Sequence, residues 1–150
     1  MTYDRCLKRL DERIPEYIKN VGNFQYETET YTLTDYYISD LHEQCEICGH
    51  FPIREIYVVT NTKGETFIVG NVCINTISNQ KISRWYKEYR RRRETLQKNK
   101  HVLDAIDKFP DKWNYEIQKK LNPIETRICK GHNPTKKQRE YLKCLLNTSV

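Results

Sequence analysis

Three cysteines frame the stretch CEICGHFPIREIYVVTNTKGETFIVGNVC, which runs from Cys45 to Cys73. Cys-x-x-Cys on a tight turn places two thiolates on one ion, and Gly49 after it lets the turn close. Between the cysteines, REIYVVTN and ETFIVGN are β-rich runs joined by Asn61, Lys63 and Gly64, which supply turn chemistry. They predict a β-hairpin with its turn at about Asn61–Gly64. Such a hairpin returns Cys73 to the first two thiols. The expected structure is therefore a metal-pinned hairpin, with Zn²⁺ as the ion because it favours tetrahedral sulfur and imidazole ligands.

The fourth ligand is less plainly written. A second Cys-x-x-Cys or Cys-x-x-His would put it at position 76, which is Thr. His50, His42, Cys129 and His132 are the candidates, and His50 is favoured because it directly follows the Cys-x-x-Cys-Gly turn. The expected metal set is Cys45, Cys48, Cys73 and His50. The competing reading is a group of buried free thiols. A redox pair is disfavoured, since a thioredoxin-like motif sits at a strand-to-helix junction and not ahead of a hairpin. No His-x-Glu or His-Glu-x-x-His pattern occurs, and Glu46 and Glu55 read as surface residues, so the metal is expected to be structural and the chain not to be an enzyme.

A small metal site suits a chain of 150 residues in which 37% are hydrophobic and 31% charged. The first residues carry charges throughout and lack the apolar core of a secretory signal, and no run reaches membrane-spanning length. A cytoplasmic location is expected, where six cysteines favour metal ligands or free core thiols over disulfides. Charge divides the chain more sharply than length does. Residues 1–80 hold 7 Lys and Arg against 12 Asp and Glu, a net of −5, and residues 81–150 hold 19 against 8, a net of +11.

Around the hairpin the pattern is helical. Tyr3, Cys6, Leu7, Leu10 and Ile14 share one helical face; Pro15 ends or kinks that helix near Arg13, and a shorter piece runs on to Gly22. FQYETETYTL reads as one strand from Phe24, and TDYYISDL as strand or loop. From Lys81 to Phe109 one long helix is expected, closed by Pro110. Its apolar stripe is interrupted at Arg92 and Asn99, as if its middle crossed solvent or met another molecule. A short helix follows with Trp113, Ile117 and Leu121 on one face, closed by Pro123; then comes a linker through Cys129 and His132, and a last helix opened by a Thr135/Gln138 capping box. Cys6 and Cys144 fall on apolar faces and are expected in the core. The fold class is α+β: a small zinc-pinned antiparallel hairpin or sheet flanked by an N-terminal helix and a C-terminal helical region with one long basic helix. Residues 1–78 form the zinc module and 79–150 the basic part.

The residues Cys45, Cys48, Gly49, Arg54, Tyr57, Gly64, Val69, Gly70 and Cys73 fit a pattern of Cys-x-x-Cys-Gly, a YVV-like strand, a glycine turn and Val-Gly-x-x-Cys. Over residues 42–78 the chain resembles zinc-hairpin proteins that are often phage-encoded, and PTKKQREYL echoes a late helix in some of them. The resemblance implies a zinc-ribbon or treble-clef module and a viral or mobile-element origin, and it implies no particular activity.

The long basic helix carries the functional expectation. KISRWYKEYRRRRETLQKNK combines four consecutive arginines with Trp85, Tyr86 and Tyr89. Consecutive helical residues are about 100° apart, so the arginines spread around the helix and cannot all face one phosphate row. Arg84, Lys87, Arg90, Arg91, Arg93 and Lys98 are the expected phosphate contacts, and rings beside them could stack on unpaired bases. For Trp85, core packing is the favoured use. The leading expectation is a nucleic-acid-binding accessory protein. The alternative is an inhibitor or adaptor docking on a host protein complex by charge complementarity. A small nuclease is disfavoured because His101 and His132 are isolated and no paired carboxylates accompany them.

Overall fold

The computed structural model describes residues 2–111 and 113–146. The chain forms two compact units, Arg13–Lys87 and Met1–Glu12 with Glu88–Val150. Each has its own core. Among the described residues no helix is long and apolar enough to cross a membrane.

The first unit is built on a four-stranded antiparallel meander in the order β1-β2-β3-β4. Its strands are β1 (Asn23–Tyr26), β2 (Glu29–Glu43), β3 (Ile53–Asn61) and β4 (Thr66–Val69). The stretch from Phe24 is thus not one strand. It folds back at Glu27, which takes a positive φ of 57°, so Asn23 pairs with Thr32 and Tyr26 with Glu29. TDYYISDL resolves as strand, since β2 continues through it with a register shift between Leu33 and Asp35. The expected hairpin is present: β3 and β4 pair from Tyr57–Val69 to Thr60–Thr66, and the Asn61 side chain accepts from the backbone N–H groups of Lys63 and Glu65 inside the turn.

Helices α2 (Arg13–Val21), α3 (Asn71–Ser78) and the start of α4 (Ile82–Lys98) complete this unit. Pro15 sits in the first turn of α2, where its missing N–H costs nothing, which is how the chain accommodates the break after α1 (Thr2–Asp11). The core consists of Leu33, Ile56, Tyr57, Val59, Val69, Ile74, Ile77, Ile82 and Tyr86. Tyr36, Tyr57 and Tyr86 pack ring on ring, with centroids 4.2 to 5.6 Å apart.

The second unit is helical: α1, the rest of α4, α5 (Lys100–Lys108), α6 (Tyr115–Cys129) and α7 (Lys136–Leu146). Tyr3, Cys6 and Leu10 of α1 share its core with Leu96, Leu103, Ile106, Leu121, Ile124, Ile128 and Leu142. The apolar face of α1 therefore places it with the C-terminal helices, and the β module begins at Arg13, not at residue 1.

Four expectations for this half change. The single helix over 81–109 is two helices, α4 and α5, parted at Asn99. The interruption of its apolar stripe is not solvent exposure: Asn99 is buried and its amide donates to Thr95 O and Asn133 Oδ1, both at 2.9 Å. Arg92 lies half-buried against Gly131, where an added Cβ would stand 2.5 Å from the Arg92 stem. Pro123 does not close a helix, because α6 carries it internally and absorbs most of the expected linker; Trp113 lies outside the helix and is 75% exposed. Finally, Cys6 and Cys129 form a disulfide with Cα atoms 5.2 Å apart, and Cys144 is exposed instead of buried. Their helical faces meet, α1 against α6, and spacing along the chain held no sign of that. The capping box of α7 is present, with Gln138 N–H donating to Thr135 Oγ1 at 3.2 Å and Thr135 N–H to Gln138 Oε1 at 2.9 Å.

Removing the buried amide at the α4–α5 junction strands the side-chain oxygen of Asn133. Asn99→Ala is expected to cost about 1–2 kcal/mol of stability by urea unfolding; an unchanged midpoint would show the junction to be held by packing alone.

Candidate metal centre

β2 and β3 close on each other where Glu43 pairs with Ile53. The residues between them form a knuckle anchored at its base. Within it, Cys45 N–H donates to His50 O at 2.9 Å, Gly49 N–H to Cys45 O at 2.8 Å, and Gln44 Nε2 to Gly49 O at 3.0 Å. Gly49 adopts φ +77°, a left-handed turn that favours glycine. The knuckle is also tied to the sheet edge. Glu46 N–H donates to Ile68 O at 2.8 Å, and Ile68 N–H donates back to the Glu46 carboxylate at 2.7 Å, so Glu46 covers the outer edge of β4.

The third thiol arrives from the other end of the hairpin. β4 stops at Val69, Gly70 caps α3, and Cys73 stands in the first turn of that helix. Gly70 passes close to the root of β3: a Cβ there would meet Ile53 Cγ2 at 3.0 Å. Its lack of a side chain lets the start of α3 close over the knuckle.

Cys45, Cys48 and Cys73 converge, with their sulfurs all within 4.8 Å of one another, close enough to hold one metal ion. Cys45 and Cys73 are buried and Cys48 is exposed. Tetrahedral thiolates about 2.3 Å from a zinc ion lie about 3.8 Å apart, so the donor set fits such an ion with little movement. The electrostatics point the same way. Burial by itself would raise the Cys45 thiol, but N–H donors from Cys48, Gly70 and Ile47 and the Cys48 thiol more than offset this and lower it. Cys73 is pushed up to about 12 by burial and then by hydrogen bonding to, and the charge of, its two sulfur neighbours. The pocket thus favours one thiolate and resists the next, a conflict that a cation at the centre would remove.

His50 lines the same cavity of about 270 Å³ with Val72 and Ile53, but it is not among the side chains that converge within 4.8 Å. His42 is exposed on β2, 5.8 Å from the Phe51 ring. Cys129 is engaged with Cys6 and has no free sulfur to offer a metal. His132 belongs to the helical unit. Thr76 Oγ1 donates to Val72 O at 3.0 Å, which uses its hydroxyl within α3. Of the two supporting residues, Glu46 reads in the sequence as a surface carboxylate with no sign that it accepts from Ile68 N–H, whereas Gly70 already belongs to the Val-Gly-x-x-Cys pattern.

The arginines of α4 are largely engaged at home. Arg91 forms a two-pronged pair with Glu88 at 2.7 and 3.1 Å and reaches Gly131 O at 3.2 Å; Arg92 bonds Glu88 at 3.1 Å, and Arg93 bonds Asp11 at 3.4 Å. The aromatic rings are engaged too. Trp85 stacks on Tyr17 at 4.1 Å, Tyr86 is 1% exposed, and the Tyr89 hydroxyl donates to Asp11. Arg84, Lys87 and Lys98 are exposed and Arg90 half-buried. No stack of bases is offered by Tyr86.

Comparison with protein-family models, curated proteins and solved structures gives no match to this chain.

Glu88 is held down at about 2, chiefly by hydrogen bonds from Arg91 and then Arg92. A depressed carboxylate stabilises the fold above its unfolded value near 4.3 and loses that contribution as pH falls toward about 2. Because the pair is half-exposed, Glu88→Gln is expected to cost less than about 1 kcal/mol at pH 7. The difference from the parent should shrink as pH falls below about 4.3 and vanish only below about pH 2. A pH-independent difference in thermal midpoint would contradict the pairing.

Proposed function

We propose that the chain is a zinc-stabilised protein that binds nucleic acid, with Cys45, Cys48 and Cys73 holding Zn²⁺ and His50 or a water completing the tetrahedron. The convergence of three thiols from a knuckle and a helix start carries this reading. Knuckle, hairpin and helix follow one another in the order of a treble clef, in keeping with the resemblance to phage-encoded zinc-hairpin proteins. The ion is structural: it ties the β2–β3 loop to the start of α3 and supplies no chemistry of its own.

Nucleic-acid binding is supported by the charge of the chain's second half and by the exposed cations of α4. Arg84, Lys87 and Lys98 are available without breaking an ion pair, whereas Arg91 and Arg93 would have to exchange a carboxylate for a phosphate. Surface pairs are weak enough for that exchange. The role that fits is accessory, in viral or mobile-element nucleic-acid transactions. A second reading, a protein-binding inhibitor or adaptor, draws on the exposed Leu41, Phe51 and Val72 of the β unit.

Two measurements test the proposal. Native mass spectrometry of the reduced protein should show one Zn²⁺ per chain, lost in Cys73→Ser and weakened but retained in His50→Ala; metal retained in Cys73→Ser would refute the site. Single-stranded binding measured from 50 to 200 mM salt should show a steep slope that falls by about 2 in the triple variant Arg84→Ala/Lys87→Ala/Lys98→Ala. No binding even at low salt would transfer the function to the adaptor reading.

A further inference from the structure

The helical unit carries a second basic feature that the arginine run overshadows. A groove of about 670 Å³ opens between α6 and α7, lined by Lys119, Thr126, Arg127, Lys130, His132 and Gln138 among others, with no acidic side chain in its lining. Its cations come from α6 and the turn that follows it, and the start of α7 closes the groove from the other side.

Its geometry is ordered. Tyr115, Lys119, Asn122, Thr126 and Lys130 follow at spacings of four, three, four and four, which puts them along one face of α6. Arg127 lies beside that stripe. Its Nε donates to Asn133 O at 2.6 Å, which fixes the plane of the guanidinium and leaves its terminal nitrogens for a ligand. His132 N–H donates to Arg127 O at 3.1 Å, so the loop that delivers the imidazole is tied to the same turn. The capped start of α7, at Thr135 and Gln138, forms the opposite wall and adds the positive end of a helix.

The distances suit a strand and not a single ion. Lys119 and Lys130 are eleven residues apart, about 16 Å along the helix. At about 3.4 Å per nucleotide this matches roughly five nucleotides of one stacked strand. Tyr115 continues the stripe one turn beyond Lys119 and is 70% exposed, a large ring left in solvent next to a row of cations. An aromatic platform beside a phosphate track is the arrangement by which proteins hold unpaired bases without reading sequence.

We propose that the α6–α7 groove binds the phosphate backbone of a single-stranded nucleic acid, with Tyr115 as the stacking platform for one base. Lys119, Arg127 and Lys130 neutralise phosphates along that span. His132 and the start of α7 close the track at its inner end. This site is distinct from the cations of α4 and stands or falls separately from them.

The test uses the full chain with a fluorescein-labelled ten-nucleotide oligothymidylate, read by anisotropy at 50 and 150 mM NaCl. Lys119 and Lys130 are exposed and form no ion pair among the described residues, so the double variant Lys119→Glu/Lys130→Glu is expected to fold as the parent does, checked by its thermal midpoint. It should weaken binding at least tenfold at 50 mM salt and lower the salt slope by about 1.4. Tyr115→Ala should weaken binding about 5- to 100-fold with the slope unchanged. A duplex of the same length and inorganic phosphate at equal ionic strength should both compete poorly. Parental affinity in the charge-reversed variant overturns the groove, as does loss of binding confined to the α4 variant. Equal competition by duplex overturns the single-strand assignment, and displacement by millimolar phosphate shows a free-phosphate site instead of a strand track. Loss confined to the groove variants supports this site and removes α4 from the contact surface.

Discussion

Three sulfur atoms within 4.8 Å of one another stand where the knuckle of the β unit meets the start of α3. Cys45 is primed to ionise by backbone N–H donors, and Cys73 is driven up to about 12 beside it. A cation held by the three sulfurs would resolve that conflict. Around it every other constraint falls into place: the Glu43–Ile53 pair shuts the knuckle, Glu46 laces it to β4, and Gly70 lets α3 approach. The sheet supplies the rigid frame, because its central strand β3 buries Ile56, Tyr57 and Val59 completely.

The helical unit solves a different problem with different means. It must bury an apolar stripe while carrying a heavy excess of positive charge. It does so by pairing part of that charge with carboxylates at its own surface. Glu88 gathers Arg91 and Arg92, Asp11 gathers Arg93 and the Tyr89 hydroxyl, and Gly131 makes room for the Arg92 stem. The most conspicuous basic run in the chain is therefore partly structural. Basic residues that face solvent also line the α6–α7 groove, where Lys119, Arg127, Lys130 and His132 fall along one helix and the turn after it.

This difference also explains what could be read from the sequence. The hairpin, the convergence of three cysteines, the break near Pro15 and the capping box are local: each depends on residues a few positions apart or on the two ends of one hairpin, and each was legible. The turn at Glu27 was not, since a positive φ at glutamate has no propensity signal. Nor was the role of Asn99, because a polar residue on an apolar stripe looks like a gap until Asn133, thirty-four residues on, supplies its partner. The pairing of Cys6 with Cys129 depends likewise on how α1 and α6 pack. His50 shows the middle case: sequence proximity brought it to the cavity wall without bringing it into the cluster.

The central claim, that three thiolates from knuckle and helix share one ion, is tested most directly by X-ray absorption at the zinc edge on the purified, reduced chain. The account predicts a first shell of three sulfurs at about 2.3 Å and one nitrogen or oxygen at about 2.0–2.1 Å. A shell of four sulfurs, a shell without sulfur, or a chain that takes up no zinc would contradict it.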